Sequence, residues 1–246
     1  MAQTASGRDR SSAVANGLAH KLRNSLNTMR THIALLQKFT AGASDERVPR
    51  QLSKLEESVV GVEEILREFL TYASPVASEW VEAQLPSVVR EVLNFVAEDL
   101  AHGSVQVCEE YSPNLPDVYV DESKLKRALL NLVVNARQAM PNGGTLTIGA
   151  RASKHGYVLL EIADTGCGIP EAEQARIFQP FFTTKPEGLG LGLALVRRTI
   201  DDMHGRVRFQ SLPGAGTVFR LFLPSAGRCR AALERAQQRR EWLKTV

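Results

Sequence analysis

The chain has 246 residues, 43% of them hydrophobic and 23% charged, with a formal net charge of +3. That length holds a helical hairpin plus one globular domain and little else, and so small a charge gives no basis for nucleic-acid binding. Three widely spaced cysteines, Cys108, Cys167 and Cys229, argue against a disulfide framework or a Cys-rich zinc site, and without a signal-peptide core or an apolar run near ~20 residues a cytoplasmic protein with no membrane span is expected.

Residues 1–10 are predicted to be a disordered N-terminus. From Ser11 to Thr40 apolar residues recur as Val14, Leu18, Leu22, Leu26, Met29, Ile33 and Leu36, a spacing of three or four that makes one helical stripe. His20 lies off the stripe and shares the opposite face with Asn24, Asn27 and Thr31. Taken alone, a single His on a helix is a solvated surface residue. Residues 41–48 are expected to form a loop, and a second amphipathic helix after Pro49 carries Leu52, Leu55, Val59, Val62, Leu66 or Ile65, Phe69 and Tyr72. Two such helices form an antiparallel hairpin, residues 11–75, which buries too little alone; two hairpins from two chains would close a four-helix bundle.

Residues 80–224 are predicted to form a two-layer α/β sandwich, so the fold class is α+β. Helices are expected over Leu85–Ala101, Glu122–Met140 and Leu191–Ile200, and strands over Val105–Glu110, Val118–Val120, Thr145–Ala150, Tyr157–Ala163, Val207–Ser211 and Thr217–Leu223. Pro141–Gly144 is expected to be the tight turn that sets up pairing of the Thr145 and Tyr157 strands. His204 and Gly205 read as the C-terminal cap of the last helix. Residues 225–246 hold six Arg or Lys against two acidic residues and read as a basic helical tail. A solvated helix explains that tail more simply than a nucleic-acid or membrane contact.

Three features of the sandwich carry chemistry. Asp164 ends an apolar strand and opens Asp164-Thr-Gly-Cys-Gly-Ile-Pro170, where a carboxylate suits an exocyclic adenine amine and Gly166 and Gly168 admit a flat ring. Gly188, Gly190 and Gly192 open an apolar helix whose free N–H groups and dipole suit phosphates. Either glycine cluster alone reads equally well as a surface turn. Asn131 and Asn135 lie four residues apart on one helical face, and their amide oxygens suit Mg²⁺; two satisfied amides are the plainer alternative.

Together and in this order, these features resemble the ATP-binding domain shared by histidine kinases and the related gyrase and Hsp90 ATPases. Asn131 and Asn135 match its N box, Asp164–Gly168 its first glycine box, Ile177–Lys185 the F box found in the kinases and lacking in the gyrase-like relatives, and Gly188–Gly192 the second glycine box. The resemblance implies ATP and Mg²⁺ as cofactors. Asp164 would hold adenine, Asn135 would ligate Mg²⁺ with Asn131 in support, and Lys185 would approach the phosphates. It extends the nucleotide-binding set to Gly166, Gly168, Ile169, Phe178, Thr184, Gly188, Leu189, Gly190, Leu191 and Gly192. The segment Ala19–Leu26 resembles the phosphoacceptor box of the same kinases, with His20 followed at three and four residues by Arg23 and Asn24. The implied protein is a homodimeric two-component histidine kinase that autophosphorylates His20 and passes the phosphate to an Asp of a separate response regulator. Input would come from a separate sensor protein, from the tail or from nucleotide level.

Lys21 departs from that pattern, since relatives carry Glu or Asp directly after the phosphoacceptor His. A carboxylate there accepts one imidazole N–H and frees the other nitrogen to attack phosphorus, whereas an ammonium only donates. Slow autophosphorylation is therefore expected. The alternative is a degenerate kinase that docks a regulator or, through Asn24, dephosphorylates it. An ATPase clamp is disfavoured, because Asn131 stands where such relatives carry a catalytic Glu.

Overall fold

A computed structural model describes residues 27–36, 50, 52–56, 58–60, 62, 78–185 and 189–231. The chain divides into two compact units, residues 1–75 with 179–191, and residues 76–178 with 192–246.

In the second unit the elements run β1 (Trp80–Ala83), α1 (Leu85–Phe95), α2 (Ala97–His102), β2 (Val105–Tyr111), β3 (Val118–Asp121), α3 (Glu122–Ala139), β4 (Gly144–Ser153), β5 (Tyr157–Asp164), α4 (Glu171–Gln174), α5 (Gly192–Asp202), β6 (Arg206–Leu212) and β7 (Gly216–Pro224). Five strands form a mixed sheet in the order β2-β4-β5-β7-β6, with only β2 and β4 parallel. A parallel pair needs a long crossover, and α3 lies within that connection. One face of the sheet is roofed by helices: Val89 and Val92 of α1, Leu129 and Val133 of α3, Ile148 of β4 and Ile162 of β5 meet around one point of the core. Leu85, Val88, Leu125, Leu132, Leu160, Ile200 and Leu221 are fully buried. They fall at helical or alternating positions, so the periodicity in the sequence is the burial pattern of the layers.

The α3 helix starts where Asp121 stops β3. Its Oδ1 accepts the Lys124 N–H at 3.0 Å and the Ser123 hydroxyl at 2.9 Å, and its Oδ2 accepts the Glu79 N–H at 3.3 Å. One carboxylate thus caps the helix and ties it to the chain segment that enters β1. Trp80 stacks between Tyr119 and His204, with ring centroids 5.6 and 6.4 Å away.

Several elements differ from expectation. The helix expected over 85–101 breaks at Val96, whose φ −108° and ψ 11° are not helical; the break leaves Phe95 79% exposed while Val96 and Leu100 are buried. β3 pairs with β1 in a separate two-stranded sheet, Trp80 opposite Asp121. Pro141–Gly144 joins α3 to β4 and does not close a hairpin; the β4–β5 turn is Lys154–Gly156, where His155 and Gly156 both have positive φ, 62° and 73°, the conformation a tight hairpin turn requires. The α5 helix ends as expected: the Gly205 N–H donates to Ile200 O at 2.9 Å, and His204 takes the left-handed conformation at φ 55°. Ser225 bridges to Val118, and residues 226–231 are helical, with the Arg228 guanidinium 4.4 Å over the Tyr157 ring and Arg230 3.3 Å from Glu82. The rest of the expected tail helix, 232–246, lies outside the described residues.

In the first unit residues 27–36 are helical, as are the described positions between 50 and 62. Ile33, Leu52 and Val59 of the two expected stripes are 43%, 46% and 44% exposed. No described helix is long and apolar enough to cross a membrane.

Candidate functional site

Asp164 sits at the end of β5, in register with Leu146 of β4 on one side and Thr217 of β7 on the other. It is only 9% exposed. Its Oδ1 accepts two backbone N–H groups, from Gly166 at 2.9 Å and from Thr217 at 3.2 Å. No described residue donates to Oδ2, and that oxygen is not sealed off, since among described side chains the one buried polar atom without a partner is Arg137 Nε. Burial pushes the carboxyl above the ordinary aspartate range, and the two N–H bonds oppose that shift. One oxygen is therefore fixed by the fold, and the other is an acceptor that a ligand can reach.

The glycines beside it have reasons inside the fold. A Cβ at Gly166 would lie 2.6 Å from Ala139 O, and Cys167 N–H donates to that same oxygen at 2.9 Å. Gly168 has φ +69° and packs on the backbone of Leu212 and Pro213. The expectation that Gly166 and Gly168 serve the approach of a ring is thus incomplete, because the protein's own backbone already demands them. Ile169 is half-buried, with its N–H on Ser211 Oγ at 2.8 Å.

Asn131 and Asn135 are both half-buried on α3. Asn131 Nδ2 donates to Arg127 O at 3.1 Å, and a Cβ on Gly192, the first residue of α5, would lie 3.0 Å from Asn131 Oδ1. Residues 131, 135 and 139 are successive i, i+4 positions and share one face. Ala139 abuts Gly166 and Asn131 abuts Gly192, so Asn135 stands between the glycine loop and the N-terminus of α5. Their amide oxygens are hard donors that suit magnesium, and among the described residues no group of three or more His, Cys, Asp or Glu offers an all-protein metal cage.

Phe178 packs against Phe209 and Phe219, with centroids 5.7 and 6.4 Å away and the Arg197 guanidinium 5.3 Å over its ring. That packing role was not evident in the sequence. The segment 179–191 belongs to the other unit. Within it the Phe181 N–H donates to Gly190 O at 3.0 Å, and Gly190, at φ +73°, has no room for a Cβ against Phe182. Thr184 is exposed, Lys185 is half-buried with its N–H on Thr183 Oγ1 at 3.0 Å, and Leu189 and Leu191 are buried. Gly188, His20, Lys21, Arg23 and Asn24 lie outside the described residues.

Sequence reasoning missed Thr217, whose N–H fixes Asp164, and Ser211, which bonds to Thr217. The glycine turn before Thr217 was the available signal, read there only as a strand connection.

Residues 120–227 match the family of histidine kinase-, DNA gyrase B-, and HSP90-like ATPases. The chain is 35% identical over 208 residues to the signal transduction histidine-protein kinase AtoS of Escherichia coli (strain K12), covering 85% of this chain and 34% of AtoS. It is 29% identical over 211 residues to sporulation kinase E of Bacillus subtilis (strain 168), covering 86% of this chain and 28% of that kinase. The chain thus spans about a third of the length of these curated relatives. Among solved structures, the catalytic domain of histidine kinase ThkA is 32% identical with a TM-score of 0.54, covering 60% of this chain and 96% of that domain. ThkA in complex with the response regulator protein TrrA is 27% identical with a TM-score of 0.72, covering 89% of this chain and 64% of that one.

Proposed function

Since the chain belongs to the histidine kinase family and carries its ATP-binding domain, we propose that it is the core of a two-component kinase, binding Mg-ATP beside Asp164 and α3, phosphorylating His20 and passing the phosphate to an Asp of a separate response regulator. The observation that carries this reading is the half-satisfied carboxylate of Asp164. Its Oδ1 is held by two backbone N–H groups, and its Oδ2 is an accessible acceptor on a carboxyl that is otherwise buried. An exocyclic amine is the donor that matches it.

Asn135, flanked by the glycine loop and the start of α5, would hold the metal with Asn131 in support. Bound magnesium would supply neutralisation of phosphate charge. The N-terminal N–H groups of α5 would meet the phosphates. At His20 the free imidazole nitrogen forms a bond to the γ-phosphorus as the bond to the bridging oxygen breaks, ADP leaves, and the proton on the other nitrogen needs an acceptor. Positioning and charge account for such transfers, with little covalent work from the protein. The support for a regulator partner is the ThkA–TrrA complex, which resembles this chain over most of its length.

Incubation with γ-labelled ATP and Mg²⁺ tests the proposal. Acid-labile, base-stable label that disappears in His20→Gln is expected. Nucleotide binding without any label would leave the second reading, a degenerate kinase acting as a docking module or phosphatase, which Lys21 favours.

A further inference from the structure

Ser211 occupies an unusual node. In register, Ser211 of β6 faces Thr217 of β7, and Thr217 faces Asp164 of β5, so the three side chains form one row across the sheet on the same face. Ser211 Oγ receives the Ile169 N–H at 2.8 Å, lies 3.1 Å from Gly216 O and lies 2.9 Å from Thr217 Oγ1. A serine hydroxyl has one proton and two acceptor sites. With its proton on Gly216 O, it accepts from Ile169 N–H and from the Thr217 hydroxyl, and its capacity is filled. Gln174 grips the same place from α4, its Nε2 donating to Ile169 O at 3.0 Å and Ser211 O at 3.2 Å.

Two strands of consequence converge there. Ser211 holds Thr217, and the Thr217 N–H fixes which oxygen of Asp164 faces the fold. Ser211 also holds Ile169, the far end of the loop whose near end, Gly166, bonds the same Asp164 oxygen. Both donors to Oδ1 are thereby steadied by one hydroxyl.

We propose that Ser211 is a positioning residue for recognition of the purine 6-amino group, acting through Thr217 and Ile169 to keep Asp164 Oδ2 aimed at the ligand. This inference rests on the adenine reading of Asp164. It identifies Ser211 as a determinant of adenine over hypoxanthine, since the carbonyl of a 6-oxo purine would set one acceptor against another.

The test compares dissociation constants for ATP and ITP, by titration calorimetry on the full chain, in the parent, Ser211→Ala, Ser211→Thr, Gln174→Ala and Asp164→Asn. Ser211→Ala is expected to reduce the preference for ATP about three- to tenfold, mainly by weakening ATP. Ser211→Thr keeps the hydroxyl and should restore the preference, and Gln174→Ala should lower it less. General loosening of the loop would weaken both nucleotides equally and leave the ratio unchanged. A ratio unmoved in both Ser211→Ala and Gln174→Ala, with Asp164→Asn collapsing it, overturns the role of Ser211 alone. A ratio unmoved in Asp164→Asn overturns the adenine reading and this inference with it. Should Ser211→Ala not fold, Gln174→Ala decides by the same ratio.

Discussion

Asp164 has two jobs on one carboxylate, and they pull stability and binding in opposite directions. Asp164→Asn keeps an oxygen for the Gly166 and Thr217 N–H groups but puts an amide donor in place of Oδ2. Nucleotide affinity should fall about ten- to a hundredfold, some 1.5–3 kcal/mol, as read by titration calorimetry. The empty protein should gain stability. Because burial raises the folded pKa above the ordinary 3.8, the neutral acid's contribution is full below 3.8 and is lost as pH rises through the raised value. The variant's melting temperature should therefore exceed the parent's at pH 7, with the gap closing on acidification towards pH 4. An equal gap at both pH values would show that the charge is not what costs stability. Lys21 poses the other question at this scale. Lys21→Glu supplies the missing proton acceptor, and labelling of His20 should speed up about ten- to a hundredfold, the low end for general-base help. Fast labelling in the parent with no gain in the variant would assign that work to another carboxylate.

Among the elements, α3 carries Asn131 and Asn135, and its start depends on Asp121. That aspartate is 3% exposed. Burial alone would raise its pKa, but the N–H of Lys124, the Ser123 hydroxyl, the Lys124 ammonium and the Glu79 N–H outweigh it and hold the carboxyl below the usual 3.8. The sign is opposite to that of Asp164: stability from Asp121 is present above 3.8 and is lost as pH falls through the lower folded value. Asp121→Ala should cost about 1–2 kcal/mol in urea unfolding at neutral pH, with the difference shrinking in acid. Asp121→Asn, which still caps, should cost less. The tie to Glu79 was not evident in the sequence, because Trp80 and Asp121 pair across forty-one positions; the cap, an Asp directly before the helix, was a local signal left unread. The helices and strands were legible, since Leu125, Leu129 and Leu132, or Val158, Leu160 and Ile162, repeat with the period of their element. The break at Val96 was not, because the apolar pattern runs through it. Asp164 and the asparagine face were legible as residue types at fixed spacings. Ser211 and Thr217 act through cross-strand register, which local pattern leaves open.

For the molecule as a whole, three described residues of the expected apolar stripes in the first unit are exposed. Ile33, Leu52 and Val59, from the two expected helices of the hairpin, are each more than 40% exposed. Scattered surface apolar residues need no explanation, but Leu52 and Val59 are seven apart on one helical face and Ile33 lies on the expected stripe of the other helix, as expected for a hairpin that closes a four-helix bundle with a second copy. Ile33→Asp places a charge in that seam. An unpaired charge there costs several kcal/mol and should split the dimer, halving the mass measured by light scattering at micromolar concentration. ATP affinity should stay near the parent value, because Asp164, Asn131 and Asn135 belong to the other unit and the nucleotide-binding candidates of the first unit, within 184–191, are not part of the hairpin. Labelling of His20 should drop with the loss of dimer, which separates a defect of assembly from one of nucleotide binding. A parent that is monomeric at that concentration would remove the bundle, and a dimer that survives Ile33→Asp would move the seam to another face of the hairpin.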